Sequence, residues 1–315
     1  MDYAKLRDNF NVPAGKIDFI SLGIPNLDDK EIDRKLAECL RGLDESFKAP
    51  KKISKCYFTI HDPKTTELQK FIDAFPDLQV YELEISLDFY LKDKTNDIIR
   101  LEELRCWFAK TLYPQKHARF KDRSWRKYYD VSSGSVIRDR MLTKGQKTIY
   151  WYTGNGNDKI RLYIKQLDNK KPIDIHCVRL EVTLGLGGCQ NAGVNRLFML
   201  PKFVNEMRKT LSPYFSVAKY IKPTSKRATR SKDPDEIAKI KKANTKEEIK
   251  FRKRWERYGV SWALKHHFAV QPDSEVNRFI GQGLKKLREN LSKLIWTEYK
   301  AEIVAKWDDM YLVKT

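Results

Sequence analysis

Cysteine is scarce and unpaired in this chain of 315 residues: Cys39, Cys56, Cys106, Cys177 and Cys189 are scattered, and no two share a Cys-x-x-Cys spacing. That excludes a disulfide framework and a zinc ribbon, and it fits reduced thiols in a cytoplasm. Long apolar runs are also missing. No window approaches the ~18 uncharged apolar residues of a membrane span. The opening stretch, MDYAKLRDNFNV, has no apolar signal core. The expectation is a soluble, cytoplasmic protein with no membrane partner. Acidic residues are in deficit, 42 against 62 lysines and arginines, which leaves a formal charge of +20. There is no internal repeat. The one biased tract is the basic stretch KPTSKRATRSKDPDEIAKIKKANTKEEIK over 222–250.

What is present supports a folded chain. Hydrophobic residues make up 41% and aromatics 12%, so a core can be buried and disorder is excluded. An excess of 20 positive charges repels itself, and a polyanionic partner, nucleic acid above all, is the simplest reason to keep it.

Residues 1–50 read as an N-terminal arm with a helical pattern from Lys30 to Leu43. Residues 54–61 alternate as a strand and 65–75 as a helix. The stretch 78–90 places Leu83, Ile85, Leu87 and Phe89 on one strand face and Glu82, Glu84, Ser86 and Asp88 on the other. A helix is expected over 95–113. Strands follow at 146–153, 159–165 and 175–184, with Gly154-Asn155-Gly156-Asn157 as a hairpin turn and Leu167–Asp174 as a loop. After Gly188 the pattern turns helical, at 197–211 and again over 251–309. This gives an α+β fold: a mixed domain at 51–222 built on an antiparallel sheet, a basic linker at 223–250 and a helical C-terminal domain at 251–315.

Three acids draw attention. Glu84 and Asp88 share a strand face but lie about 13 Å apart on a strand rising ~3.3 Å per residue, too far to hold one ion together. Either can meet a carboxylate on a neighbouring strand, such as Glu181, because opposed side chains sit roughly 5 Å apart. Paired carboxylates on adjacent strands are hard-oxygen ligands for Mg²⁺ or Mn²⁺; solvent-facing acids of a half-buried sheet would have the same spacing. Arg161, Tyr163 and Lys165 share one strand face, and Arg179 shares the next with Glu181. A face so charged is costly if dry, and it suits phosphate contacts. Among the histidines, His176 falls on the opposite parity from Arg179 and Glu181, His61 ends a strand, and the adjacent His266 and His267 would face apart on a helix.

In order and spacing, residues 80–185 resemble the replication initiation factor family of rolling-circle plasmids and related mobile elements, which includes some conjugative relaxases. The resemblance is carried by Glu84-Ile85-Ser86-Leu87-Asp88-Phe89, by the Gly145–Gly156 strand and turn, by Arg161-x-Tyr163-x-Lys165 and by Arg179-Leu180-Glu181. Glu82 and Glu84 stand where the family has Arg-x-Asp, and Tyr152-Thr153-Gly154-Asn155 and Tyr163-Ile164-Lys165 also depart from its pattern.

The resemblance would make 51–222 the catalytic domain and implies a nuclease-like antiparallel sheet of five strands, related to the tyrosine nickases and relaxases. It implies one divalent cation (Mg²⁺ or Mn²⁺) and a tyrosine that cuts origin DNA. The tyrosine forms a 5′-phosphotyrosine and frees a 3′-hydroxyl that primes synthesis. A phenol, with a reference pKa of ~10, needs activation for this. Tyr220, flanked by Lys219 and Lys222, and Tyr214 are the candidate nucleophiles, with Tyr128 and Tyr129 behind them. Glu84, Asp88 and Glu181 are the candidate metal ligands and Lys165 a catalytic cation. Arg161, Tyr163, Arg179, Lys219 and Lys222 are the candidate DNA contacts. A second copy of the chain and a host helicase are candidate partners. A conjugative relaxase or phage initiator with the same chemistry, a DNA-binding protein without catalysis, and an RNA binder that stacks bases on sheet aromatics stand as alternatives.

Overall fold

The computed structural model describes residues 3–23, 57–112, 126–129, 148–152, 158–168, 171–220, 249–250, 252–255, 259 and 270–292. Seven strands form one sheet: β1 Ala14–Gly23, β2 Tyr57–His61, β3 Gln79–Tyr90, β4 Arg126–Tyr129, β5 Thr148–Tyr152, β6 Lys159–Asp168 and β7 Lys171–Leu184. Their spatial order is β2-β1-β3-β7-β6-β5-β4, and every neighbouring pair is antiparallel. The sheet is thus wider than the five strands that the family resemblance implied. A separate ribbon pairs β8 Ala218–Tyr220 with β9 Val270–Pro272.

Alternation decides which side of the sheet each residue takes. On β3, Leu83, Ile85, Leu87 and Phe89 are fully buried on one face; on β7, Val178, Leu180, Val182 and Leu184 match them. Burying each such side chain contributes about 1.5–3 kcal/mol, so a one-residue slip of either strand would reverse a large part of the core. Helix α1 Tyr3–Asn9 precedes the sheet, and α2 Thr65–Ala74, α3 Ile98–Thr111, α4 Leu186–Asn191, α5 Leu200–Leu211 and α6 Ser274–Leu291 follow in chain order. Asp97 starts α3 by accepting from the backbone N–H groups of Ile99 and Arg100, and Asp273 starts α6 by accepting from Val276 N–H. Both are N-caps that satisfy otherwise orphaned donors.

Two differences from the sequence reading concern whole segments. Residues 14–23, read as part of an N-terminal arm, are a strand hydrogen-bonded on both sides, to β2 and to β3. Their alternation was masked by a register shift between Ile17 and Phe19, where an extra residue interrupts the period of two. Helix α6, read as part of a separate C-terminal domain, packs on β1 and α5, and its Val276, Phe279, Ile280, Leu284, Leu287 and Leu291 belong to the same core as the sheet. Contact is close because Gly283 and Gly15 meet: a Cβ on Gly283 would stand 2.9 Å from the Pro13 carbonyl, and one on Gly15 would stand 2.8 Å from the Gly283 carbonyl.

The expected Leu167–Asp174 loop is shorter than read, since β6 and β7 stay paired to Asp168 and Lys171. The Lys30–Leu43 helix, the Gly154–Asn157 turn, nearly all of the basic linker, and His266 and His267 lie outside the described residues.

Candidate metal centre

The sheet face opposite the helices carries the charge. Four adjacent strands contribute: β1 gives Lys16 and Asp18, β3 gives Glu84, Ser86 and Asp88, β7 gives Arg179, Glu181 and Thr183, and β6 gives Arg161, Tyr163 and Lys165. Glu84, Asp88, Arg179 and Glu181 are all buried, so these ions stand largely out of water and have to satisfy one another.

Asp18, Glu84 and Glu181 converge. Each presents a carboxylate oxygen, and the three lie within 4.8 Å of one another. They come from β1, β3 and β7, three neighbouring strands. Of the two acids singled out on β3, Glu84 joins this group. Asp88 does not: Arg179 holds it through two parallel bonds, Nε to Oδ1 at 2.6 Å and Nη2 to Oδ2 at 2.6 Å. Asp88 is therefore a partner of a guanidinium rather than a member of the acidic group, as its four-residue distance from Glu84 requires. Asp18 escaped the sequence reading because its strand did.

The arginines cross-link the acids. Arg161 Nη2 is 2.5 Å from Glu84 Oε1 and its Nε is 2.6 Å from Glu181 Oε2. The second contact is an ion pair without hydrogen-bond alignment, so Arg161 Nε and Glu181 Oε2 are both buried with no hydrogen-bond partner. Arg179 reaches Asp18 through Nη1 at 2.8 Å. Thr183 donates to Glu84 Oε2, and Tyr163 donates its phenolic proton to Glu181 Oε1 at 2.7 Å.

The electrostatics follow from this crowding. Burial and the neighbouring Glu84 carboxylate push Glu181 up to about 7, against the pull of Arg161. Burial also raises Glu84, although Arg161 and Thr183 oppose it. Asp18 goes the other way: burial would raise it, but Arg179 and Lys16 together hold it below the usual carboxylate range. Burial and the Glu181 charge raise the Tyr163 phenol above its ordinary value.

Three carboxylates from adjacent strands, one with a buried oxygen that accepts no hydrogen bond, fit a divalent cation. The donors are hard oxygens, as Mg²⁺ and Mn²⁺ prefer. Asp18, Glu84 and Glu181 are the residues that would hold it.

The other sequence candidates lie elsewhere. Lys165 pairs with Asp168 at 2.7 Å. With Lys16, Asp88, Tyr90, Ile173, Ile175 and Arg179 it lines an open groove of about 480 Å³ beside the acids. Tyr214 is buried, and its hydroxyl donates to Asp158 Oδ2 at 3.3 Å. Parity puts Asp158 on the helix-covered face, next to Ile160 and Leu162, so Tyr214 sits on the wrong side of the sheet for these acids. Burial and Asp158 raise its phenol as well. Tyr220 and the exposed Lys219 lie on β8, and the residue before that strand, Val217, is bonded to Leu112 and Asn277 in the helical layer. Lys222 is outside the described residues. The backbones of Tyr128 and Tyr129 pair with Tyr150 and Ile149 on the β4–β5 edge. The His61 ring packs 5.9 Å from Phe19, and neither it nor His176 joins the acidic group. Among the described residues, Tyr163 bonds directly to one of these acids; the sequence offered it only as a DNA contact.

No protein-family model matches the chain, and no curated protein does. Among solved structures, a rolling circle replication initiator protein from Geobacillus stearothermophilus is similar at TM-score 0.37 and 14% identity, over 69% of this chain and 91% of that one. At that level the likeness is loose, and the chemistry rests on the geometry of the charged face itself.

Proposed function

We propose that this chain is a replication initiator of the rolling-circle type, an endonuclease and strand transferase that nicks origin DNA with Tyr163 as nucleophile. The observation that carries this reading is the 2.7 Å bond between the Tyr163 hydroxyl and Glu181, inside a group of three carboxylates on a chain of charge +20. The same chemistry would serve a conjugative relaxase.

Each residue has a part. Tyr163 attacks the phosphorus: its oxygen forms the new bond, the bond from phosphorus to the 3′-oxygen breaks, and the phenolic proton passes to Glu181 Oε1. The 3′-oxygen takes a proton from solvent and leaves as a hydroxyl. Glu181 Oε1 already accepts the phenolic hydrogen, so the base stands within reach of the proton it takes. Glu181 Oε2 faces the other acids, so one carboxylate serves both the phenol and the metal group. A divalent cation held by Asp18, Glu84 and Glu181 would polarise the phosphate oxygen and offset the charge gathering on it. Arg161 is well placed to turn from the acids to the phosphate, since its side chain is 27% exposed while both its partners are fully buried.

Supercoiled DNA carrying the gene and its flanking sequence, incubated with Mn²⁺ or Mg²⁺, tests this. The parent should yield open circles and a protein–DNA adduct. Tyr163→Phe should lose both, whereas Tyr214→Phe and Tyr220→Phe should keep them. Loss in Tyr220→Phe with retention in Tyr163→Phe would return the nucleophile to β8.

A second reading has an observation of its own. The Arg161 guanidinium already stands between Glu84 and Glu181, where a cation would bind. A DNA-binding protein whose acids are neutralised internally would look like this. It would bind the same DNA without nicking it and show no response to Mn²⁺.

A further inference from the structure

We infer that the groove beside the acids is a nucleotide subsite, holding the DNA nucleotide that adjoins the cut phosphate, with Ile173, Ile175 and Tyr90 against its base and Lys16 and Lys165 on its far phosphate. This deepens the proposed nicking function and rests on it.

The groove lies at the end of the charged face nearest Asp88. Its volume, about 480 Å³, is at the scale of small-molecule sites, which run from about 300 to 1,000 Å³. Its walls differ in chemistry. One is strand β7, where Ile173 and Ile175 project two residues apart on the face shared with Arg179, both only half-buried. Tyr90, across the β3–β7 pairing, adds a half-buried ring. Apolar side chains with an aromatic at the mouth suit a stacked base, which any nucleotide can offer.

The rest of the lining is charged and mixed in sign: Lys16, Lys165 and Arg179 stand there with Asp88 and Asp168. Lys165 is itself buried, with 10% of its side chain exposed, and is tied to Asp168, whose side chain is 48% exposed. The carboxylate is thus the partner open to water, and an arriving phosphate would have to displace it from the lysine. Lys16 divides its charge between Asp18 and Asp62, the second of which is 50% exposed. Arg179 is not available in the same way, because Asp88 holds it on two sides.

Position supplies the link to the cut. Tyr163 and Lys165 lie two residues apart on one strand face, about 6.6 Å along β6. Lys16 sits two residues before Asp18, a member of the acidic group. A strand whose scissile phosphate rests at Tyr163 therefore runs directly into the groove. The lining has no buried cation without a partner, which separates it from a simple anion trap. Base contact, more than phosphate, should dominate its affinity.

The full chain, thymidine 3′,5′-bisphosphate and inorganic phosphate provide the test, with Mn²⁺ binding followed by electron paramagnetic resonance on the same samples. The bisphosphate should bind at least tenfold more tightly than inorganic phosphate. Ile175→Asp should remove that advantage, and Lys165→Met should weaken the bisphosphate several-fold, both with Mn²⁺ binding unchanged. Equal affinity for the two probes, or a bisphosphate affinity indifferent to both variants, overturns the subsite. Tight bisphosphate binding that survives Glu84→Gln while Mn²⁺ binding is absent from the parent would sink the metal centre and leave the groove standing. Because Ile173 and Ile175 are half-buried at the strand end, Ile173→Thr offers a milder variant if Ile175→Asp proves insoluble; it should lower bisphosphate affinity without altering inorganic phosphate.

Discussion

At the residue scale, Glu181 sets the pH behaviour. Its carboxyl sits near 7 in the folded protein, against an ordinary 4.5. Between those values the folded state keeps a proton that the unfolded chain releases. The stability this supplies is complete below about pH 4.5 and is lost as pH rises through 7. Glu84, also raised, acts with the same sign. In chelator, the melting temperature should therefore fall between pH 5 and pH 8, and Glu181→Gln should flatten that decline. Asp18 acts with the opposite sign and at the acid end of the range, because, against burial, Arg179 and Lys16 hold its carboxyl below the ordinary value. Adding Mn²⁺ at pH 8 should restore stability, by about 2.7 kcal/mol at a hundred times its dissociation constant. A melting temperature that climbs with pH in chelator would contradict this electrostatic account.

The Arg179–Asp88 pair makes a different forecast. Asp88→Ala strips a buried guanidinium of its two strongest bonds, and breaking such a pair costs about 3–5 kcal/mol. Chemical denaturation should show that loss, while Mn²⁺ affinity should change far less than in Glu84→Gln. These residues also mark how far sequence can be read. Strict alternation puts Glu84 and Glu181 on one face, but their register was not legible: they sit diagonally, Glu84 opposite Thr183 and Glu181 opposite Ser86. The split between Glu84 and Asp88 was legible from distance alone. Tyr163 was assigned to this face, but its bond to Glu181 was not legible, since nothing in the spacing says which oxygen of which acid a phenol will meet.

At the scale of elements, the meeting of α6 and β1 is the sharpest feature. Two glycines let the backbones touch. Gly283→Ala would push a methyl to 2.9 Å from the Pro13 carbonyl, and overpacking of this kind typically costs about 1–3 kcal/mol. Equilibrium unfolding would measure it; a stabilised Gly283→Ala protein would show that the helix can retreat freely. For β3, β6 and β7 the sequence pattern was sufficient, since each alternates cleanly over many residues. For β1 it was not, because the irregularity at Ile17–Phe19 inverts the parity midway, and with the strand went Asp18. The placement of α6 was likewise hidden: an amphipathic helix declares that it has an apolar side but not which surface covers it.

For the whole molecule, charge is the governing quantity. Among the described residues no helix is long and apolar enough to cross a membrane, and an excess of 20 positive charges favours association with polyanions. Binding to single-stranded DNA should weaken as salt rises, with log affinity falling linearly by about 0.7 per phosphate contacted. Lys16→Gln and Lys165→Gln should each reduce that slope by close to one contact, read from fluorescence anisotropy across a salt series. A slope unchanged in both would place the DNA elsewhere on the surface.

Asp18 and Arg179 touch although 161 positions of chain separate them. During synthesis the first of these emerges early and waits, and β1 has no hydrogen-bonded neighbour until β2 and β3 have followed it out of the ribosome. The acidic group is completed only when β7 arrives. A prematurely terminated chain ending before that strand would lack both Arg179 and Glu181, so the charged face is assembled only once the sheet is whole.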